Sequence, residues 1–241
     1  LQLDGTGCKL IRQQLFQNSG SLPGDDLGAI FDPDGDRIRF YDGTREIDMN
    51  QFGAIAFHYM ATWRKEQGCV AKSVATSNFV NIIAEKLGVP VMETPVGFKN
   101  FRPWLSRNAK QKALVAFEES DGISGLNNTL EKDAQFGLLI ALEIMAVTGK
   151  NLGEYLDALY EEYGRFYPTR SGFEVDKSLV GAPLKAKVDA IATIAKPGAK
   201  VMVGKNEKTV KQLLTLDGVK IIFEDDSWML VRPSGTISKI K

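Results

Sequence analysis

Residues 70–92, VAKSVATSNFVNIIAEKLGVPVM, decide the fold. Residues 70–75 have the β-branched, apolar texture of a strand. Residues 78–87 carry helical spacing and stop at Gly88, and residues 89–92 form a second short apolar run. A strand, a helix and a strand in succession are the unit of a parallel or mixed sheet. Upstream, Asp48 or Asn50 can cap a helix running to about Gln67, with Gly68 as its stop. Phe52, Ile55, Ala56, Tyr59, Met60 and Trp63 fall on one face of that helix and are expected in the core. Downstream, residues 113–117 read as a strand ending in Glu118-Glu119-Ser120. Residues 133–147 read as a long apolar helix before Gly149, and Asn151 can cap a further helix over 152–163.

The texture changes after Gly164. Residues 165–175 alternate aromatic and β-branched side chains, 185–195 look helical, and 219–224 with 228–231 form a β pair joined by Glu224-Asp225-Asp226-Ser227. At the other end, residues 1–4, the Gly5-Thr6-Gly7 turn and 9–17 read as a strand, a structural turn and a helix, followed by a polar loop over 18–26. The expected class is α/β: mixed-sheet α/β domains followed by a smaller α+β C-terminal domain.

The 241 residues are 44% hydrophobic, enough for a sizeable core, and thirty basic residues cancel thirty acidic ones. No global field draws nucleic acid or an anionic membrane, so an anion has to be caught by a local site. Cys8 and Cys69 lack metal-binding or redox spacing, and the default expectation is a reducing cytoplasm. The chain opens on Leu and closes on Ile240 and Lys241, which reads as a piece of a longer protein.

The run FDPDGDR, 31–37, sets Asp32, Asp34 and Asp36 at every second position with Arg37 directly after. Three carboxylates this close repel one another unless a cation neutralises them. Hard oxygen donors with no nearby His or Cys favour magnesium over zinc. Apolar runs at 27–31 and 38–41 place the acids in a connection between strands, where sites collect. An EF-hand needs Gly sixth and Glu twelfth, but counting from Asp32 these are Arg37 and Gly43. A solvated acidic turn and an aspartyl phosphatase are the alternatives.

Other loops supply further groups. Arg232, Ser234 and Thr236 alternate with Pro233 and Gly235, the composition of a phosphate cradle or of an ordinary turn. Glu118 and Ser120 leave one strand end together, suited to sugar hydroxyls, while Glu119 should face the other way. Thr94-Pro95-Val96-Gly97-Phe98-Lys99 places a lysine in a Gly/Pro loop. The sole histidine, His58, is expected to be partly buried and structural.

Taken in order, FDPDGDR, TPVGFK, FEES followed by EKD, and RPSGT make the chain resemble the α-D-phosphohexomutase superfamily, in its phosphoglucomutase/phosphomannomutase branch. The resemblance implies a four-domain enzyme. In it 1–46 correspond to the end of domain II, 47–150 to domain III, and 165–241 to a domain IV lacking its last elements. It implies an isomerase that moves phosphate between C1 and C6 of a hexose through a phosphoserine and a bisphosphate. Asp32, Asp34 and Asp36 would then hold Mg2+, and Arg37 would neutralise transferring charge. Gly97, Lys99, Glu118, Ser120 and Lys132 would bind the sugar, and Arg232, Ser234, Gly235 and Thr236 the non-reacting phosphate.

Departures accompany the matches. No Thr-Ala-Ser-His-Asn-Pro-like phosphoserine segment occurs, and the nearest echo is Ala75-Thr76-Ser77-Asn78. Gly122 stands where some relatives have His, and Ile237 where Glu usually follows RPSGT. The chain alone is therefore expected to be inactive, and a noncatalytic phosphosugar-binding protein is the competing expectation.

Overall fold

A computed structural model describes residues 27–176, 179, 181–233 and 239–240. The expected elements over 1–17 and the loop residues Ser234, Gly235 and Thr236 lie outside the described residues. Two compact units adjoin in sequence at Pro168 and Thr169.

In the first unit, β1 (Gly28–Phe31), β2 (Ile38–Tyr41) and β3 (Glu46–Ile47) form an antiparallel meander, with Phe31 opposite Ile38 and Phe40 opposite Ile47. The acidic run is the turn between β1 and β2. Helix α1 (Met49–Thr62) begins at Asp48 with a full capping box: Asp48 accepts the Gln51 N–H and the Gln51 side chain accepts the Asp48 N–H. This helix ends at Thr62 rather than near Gln67, because the chain turns at Trp63 and Arg64, whose N–H groups both donate to the Tyr59 carbonyl. Trp63 consequently leaves the expected core stripe and is 51% exposed, whereas Phe52, Ile55, Ala56, Tyr59 and Met60 are buried.

A four-stranded sheet follows, built from β4 (Cys69–Ser73), β5 (Val91–Thr94), β6 (Ala113–Glu118) and β7 (Gly122–Gly125) in the order β5-β4-β6-β7. β4 runs parallel to β5 and β6, and β7 turns back antiparallel to β6, so the sheet is mixed. Helix α2 (Phe79–Leu87) connects β4 to β5 and ends on Gly88 in the left-handed conformation. A 3₁₀ turn (Phe98–Phe101) and the short α3 (Arg102–Leu105) lead into β6. α4 (Ala134–Thr148), capped by Asp133, and α5 (Leu152–Tyr163), capped by Asn151, complete the unit. The core lies where α1, α4 and α5 meet the β1–β3 meander and the main sheet: Ile38, Phe40, Phe52, Phe117, Ile123, Ile144 and Leu156 are all inaccessible or nearly so. Fully burying each such side chain contributes roughly 1.5–3 kcal/mol.

Ties at both ends hold the meander to this body. At one end the Ile38 N–H donates to the Asp121 carbonyl at 3.0 Å, and Arg37 and Gly122 form a β-bridge. At the other, Arg45 reaches α5, donating from Nη1 and Nη2 to the Asp157 carboxylate and from Nη2 to the Gly153 carbonyl.

The second unit contains β8 (Phe173–Glu174), α6 (Ala182–Ile194), β9 (Lys200–Val203), β10 (Asn206–Leu214), β11 (Val219–Phe223), β12 (Trp228–Val231) and β13 (Lys239–Ile240). β9 to β12 form an antiparallel sheet over a small core of Val188, Val210, Val219, Ile221 and Phe223, and β13 pairs with β8. The expected alternation over 165–175 yields only the two residues of β8. No single helix among the described residues is long and apolar enough to cross a membrane.

Candidate functional site

The turn between β1 and β2 brings carboxylate oxygens of Asp32, Asp34 and Asp36 within 4.8 Å of one another. Asp32 Oδ1 organises the turn by accepting the N–H groups of Asp36 (3.1 Å) and Arg37 (3.0 Å). Arg37 Nε lies 3.7 Å from Asp32 Oδ2 and 3.6 Å from Asp36 Oδ1, and Lys132 Nζ lies 2.8 Å from Asp36 Oδ2. Among the described residues no hydrogen-bond donor reaches the buried Asp36 Oδ1. A buried carboxylate oxygen without a hydrogen-bond donor beside two other acids is a place for a hard cation, so the residues fit a divalent ion with oxygen preference.

Glu118, at the end of β6, is buried, and its Oε1 accepts the Gly97 N–H at 2.6 Å. Gly97 adopts φ +122°, a conformation that only glycine takes without strain, so the Pro95-Val96-Gly97 loop can present that N–H. Burial pushes the Glu118 carboxyl above its ordinary range. The Gly97 N–H pulls it back, and the charges of Lys132 and Arg37 do so more weakly. The acidic turn and the β6–β7 turn therefore share one electrostatic neighbourhood. Ser120 sits half-buried in the β6–β7 turn, and Lys99 is exposed on the 3₁₀ turn.

Glu119 does face away from Glu118: it accepts the Ser73 hydroxyl at 2.9 Å, while Thr76 Oγ1 accepts the Glu119 N–H at 3.1 Å. Lys72 below it is fully buried and donates to the carbonyls of Thr76 and Ser77 and to Asn78 Oδ1. His58 pairs through Nδ1 with the Tyr155 hydroxyl at 2.8 Å and lies edge-on to the Tyr155 and Tyr163 rings, a structural place in the α1–α5 interface.

Arg232, in the second unit, follows β12. Its Nη2 pairs with Asp217 Oδ2 at 3.0 Å, while its buried Nε has no acceptor among the described residues. Within unit one, Asp32, Asp34, Asp36, Arg37, Gly97, Glu118 and Lys132 thus form a connected set. Sequence reading missed Arg39 and Asp121, which clamp the two turns together, and Phe98, whose ring lies 5.9 Å from Lys132 Nζ.

A mixed α/β/α unit with a tri-aspartate turn, followed by a small antiparallel domain, defines a class, and the comparisons agree with it. Residues 48–163 match the family described as phosphoglucomutase/phosphomannomutase, alpha/beta/alpha domain III. The chain belongs to the α-D-phosphohexomutase superfamily.

Within it the relatives include phosphoglucomutases, phosphomannomutases and a probable phosphoglucosamine mutase. Phosphoglucomutase 1 of Drosophila melanogaster is 30% identical over 231 residues, covering 88% of this chain and 40% of the fly protein. A phosphoglucomutase/phosphomannomutase of Thermococcus kodakarensis is 32% identical over 215 residues, covering 88% of this chain and 41% of its own length. In fold, the open form of the exocytosis-sensitive phosphoprotein parafusin, a phosphoglucomutase from Paramecium, superposes with a TM-score of 0.71 at 23% identity, over 98% of this chain and 44% of that one. The chain therefore spans well under half the length of these relatives.

Proposed function

We propose that the chain carries the metal, sugar and phosphate loops of a magnesium-dependent phosphohexomutase that interconverts hexose 1- and 6-phosphates. The observation that supports this best is the convergence of the tri-aspartate turn, Arg37 and Lys132 on the buried Glu118 at the end of β6. On this reading 1–46 end domain II, 47–150 make domain III and 165–241 belong to domain IV.

Asp32, Asp34 and Asp36 would hold Mg2+, which when bound supplies positive charge to a transferring phosphoryl group. Arg37 adds a permanent cation beside the same oxygens. Glu118, fixed by the Gly97 N–H, accepts from sugar hydroxyls together with Ser120, while Lys132 and Lys99 supply cations near the sugar. Arg232 offers its unpaired Nε, with Ser234, Gly235 and Thr236, to the phosphate that is not reacting. A hexose phosphate is the substrate class, and these groups do not distinguish gluco from manno configuration. With no phosphoseryl segment in its 241 residues, the chain alone binds without turnover.

Calorimetry of the purified chain with glucose 1-phosphate and with mannose 1-phosphate, in the presence of Mg2+, tests the reading. Binding heat that disappears in the Glu118→Ala, Arg232→Ala double variant is the expected result. A folded chain that binds neither ester, or a double variant that binds as well as wild type, overturns it.

A further inference from the structure

We infer that Lys132 is a built-in counter-ion for Asp36 which a divalent cation displaces, so that metal binding and the position of this ammonium are coupled. The inference rests on the tri-aspartate turn being a metal site.

Asp36 carries the two contacts that matter. Its Oδ2 is held by Lys132 Nζ at 2.8 Å, and its Oδ1 is the buried oxygen without a donor. A cation bridging Asp32, Asp34 and Asp36 would bring a second positive charge against that ammonium, and like charges at such range compete for one carboxylate. Arg37 is the weaker rival, since its Nε stays 3.6 Å or more from the same acids.

The lysine is built to move without unravelling its surroundings. Its backbone is anchored next door, where the Asp133 N–H donates to the Ile123 carbonyl at 2.8 Å and Asp133 caps α4. Its aliphatic stem lies across Gly122, where an added Cβ would come within 2.3 Å of Lys132 Cδ. A larger residue at 122 would displace that stem. While paired with Asp36, Nζ also lies 5.9 Å from the centre of the Phe98 ring, at the outer edge of cation–π range, on the loop that carries Gly97. An ammonium released from Asp36 thus stays beside Glu118, ready for an anionic ligand.

The test is a Mn2+ titration of the whole chain at low ionic strength, followed by the electron paramagnetic resonance of the free ion. Lys132→Met is expected to bind Mn2+ at least about threefold more tightly than wild type, the scale of a partly exposed ion pair. Lys132→Arg should stay near wild type, and Gly122→Ala should fall between, because it dislodges the ammonium while keeping its charge. Lys112→Met, which removes a cation that precedes β6 at the end opposite Glu118 and donates to Asn127 Oδ1, should change nothing. A merely structural lysine would leave affinity unchanged or lower it, and either outcome in folded Lys132→Met and Gly122→Ala overturns the coupling while the metal site stands. Wild-type binding no stronger than that of Asp34→Asn, Asp36→Asn overturns the metal site and the coupling with it.

Discussion

Arg39 grips Asp121 with two guanidinium nitrogens: Nε donates to Oδ1 at 3.1 Å and Nη2 to Oδ2 at 2.6 Å. Arg39 belongs to β2 and Asp121 to the β6–β7 turn, so the pair fixes the acidic turn against the strand end that presents Glu118. Nη1 holds Glu46 in addition, at 2.6 Å.

Arg39→Met removes the partner of a carboxylate that is almost wholly buried and costs about 3–5 kcal/mol, the range for breaking a buried pair from one side. Burial already pushes the Asp121 carboxyl up to about 6 against the pull of Arg39. Without the arginine, protonation becomes the relief, so the loss should be larger at pH 8 than at pH 5. Denaturant midpoints at the two pH values check this, and Asp121→Asn added to Arg39→Met should recover part of the loss, since Asn tolerates the φ of +70° at this position.

Gly53 on α1 faces the Phe117 ring so closely that an added Cβ would lie 2.2 Å from it. Helix propensity favours Ala over Gly by about 1 kcal/mol, but overpacking a core costs about 1–3 kcal/mol and the buried Phe117 ring would have to shift to admit the methyl. Gly53→Ala is expected to lower the melting temperature, measurable by circular dichroism.

His58 is the only histidine, so its titration can be followed as one imidazole resonance. Burial lowers its pKa below 6.5, with Glu162 opposing. A depressed folded value means that the stabilisation is complete above pH 6.5 and is lost as pH falls through the folded value. The NMR midpoint should therefore lie below 6.5, and His58→Gln should flatten that part of the pH–stability curve.

In the second unit the sign is that of a carboxylate. Lys208 and Ser227 hold the exposed Asp225 down to about 2, so its contribution is present above about 3.8 and is lost as pH falls through about 2. Screening limits it to about 0.5 kcal/mol. Thermal melts of Asp225→Asn and wild type should differ at pH 6 and converge near pH 2.

The sequence made the strand–helix–strand core legible because Val70, Ile83 and Val91 follow clean periods and Gly88 stops the helix. Asn151 and Tyr163 bound α5 as read. The long helix before it was also evident, since Asp133 and Gly149 punctuate it. β9 and β10 escaped because β9 is only four residues long and β10 interleaves Glu207, Lys208 and Lys211 with a single buried side chain, Val210, so neither offers a sustained apolar alternation. At the site, the three acids and Glu118 announced themselves by spacing. Arg39 and Asp121 did not: they stand 82 positions apart, and the left-handed backbone of Asp121 breaks the strand period that placed Glu118 and Ser120. Lys132 was legible only through the EKD resemblance, and nothing in its neighbourhood announced that it would reach Asp36.

The β-bridge between Arg37 and Gly122, with the Ile38 N–H on the Asp121 carbonyl, makes residues 28–47 part of the same folding piece as 48–163. A scissor cut at residue 47, where the family boundary falls, would strip the main body of Ile38, Phe40 and Ile47. It would also leave Asp121 without its arginine and open the flank of Phe52 to water. The smallest excisable portion that keeps this half of the molecule whole begins ahead of the first strand of the meander, not at the helix that follows it.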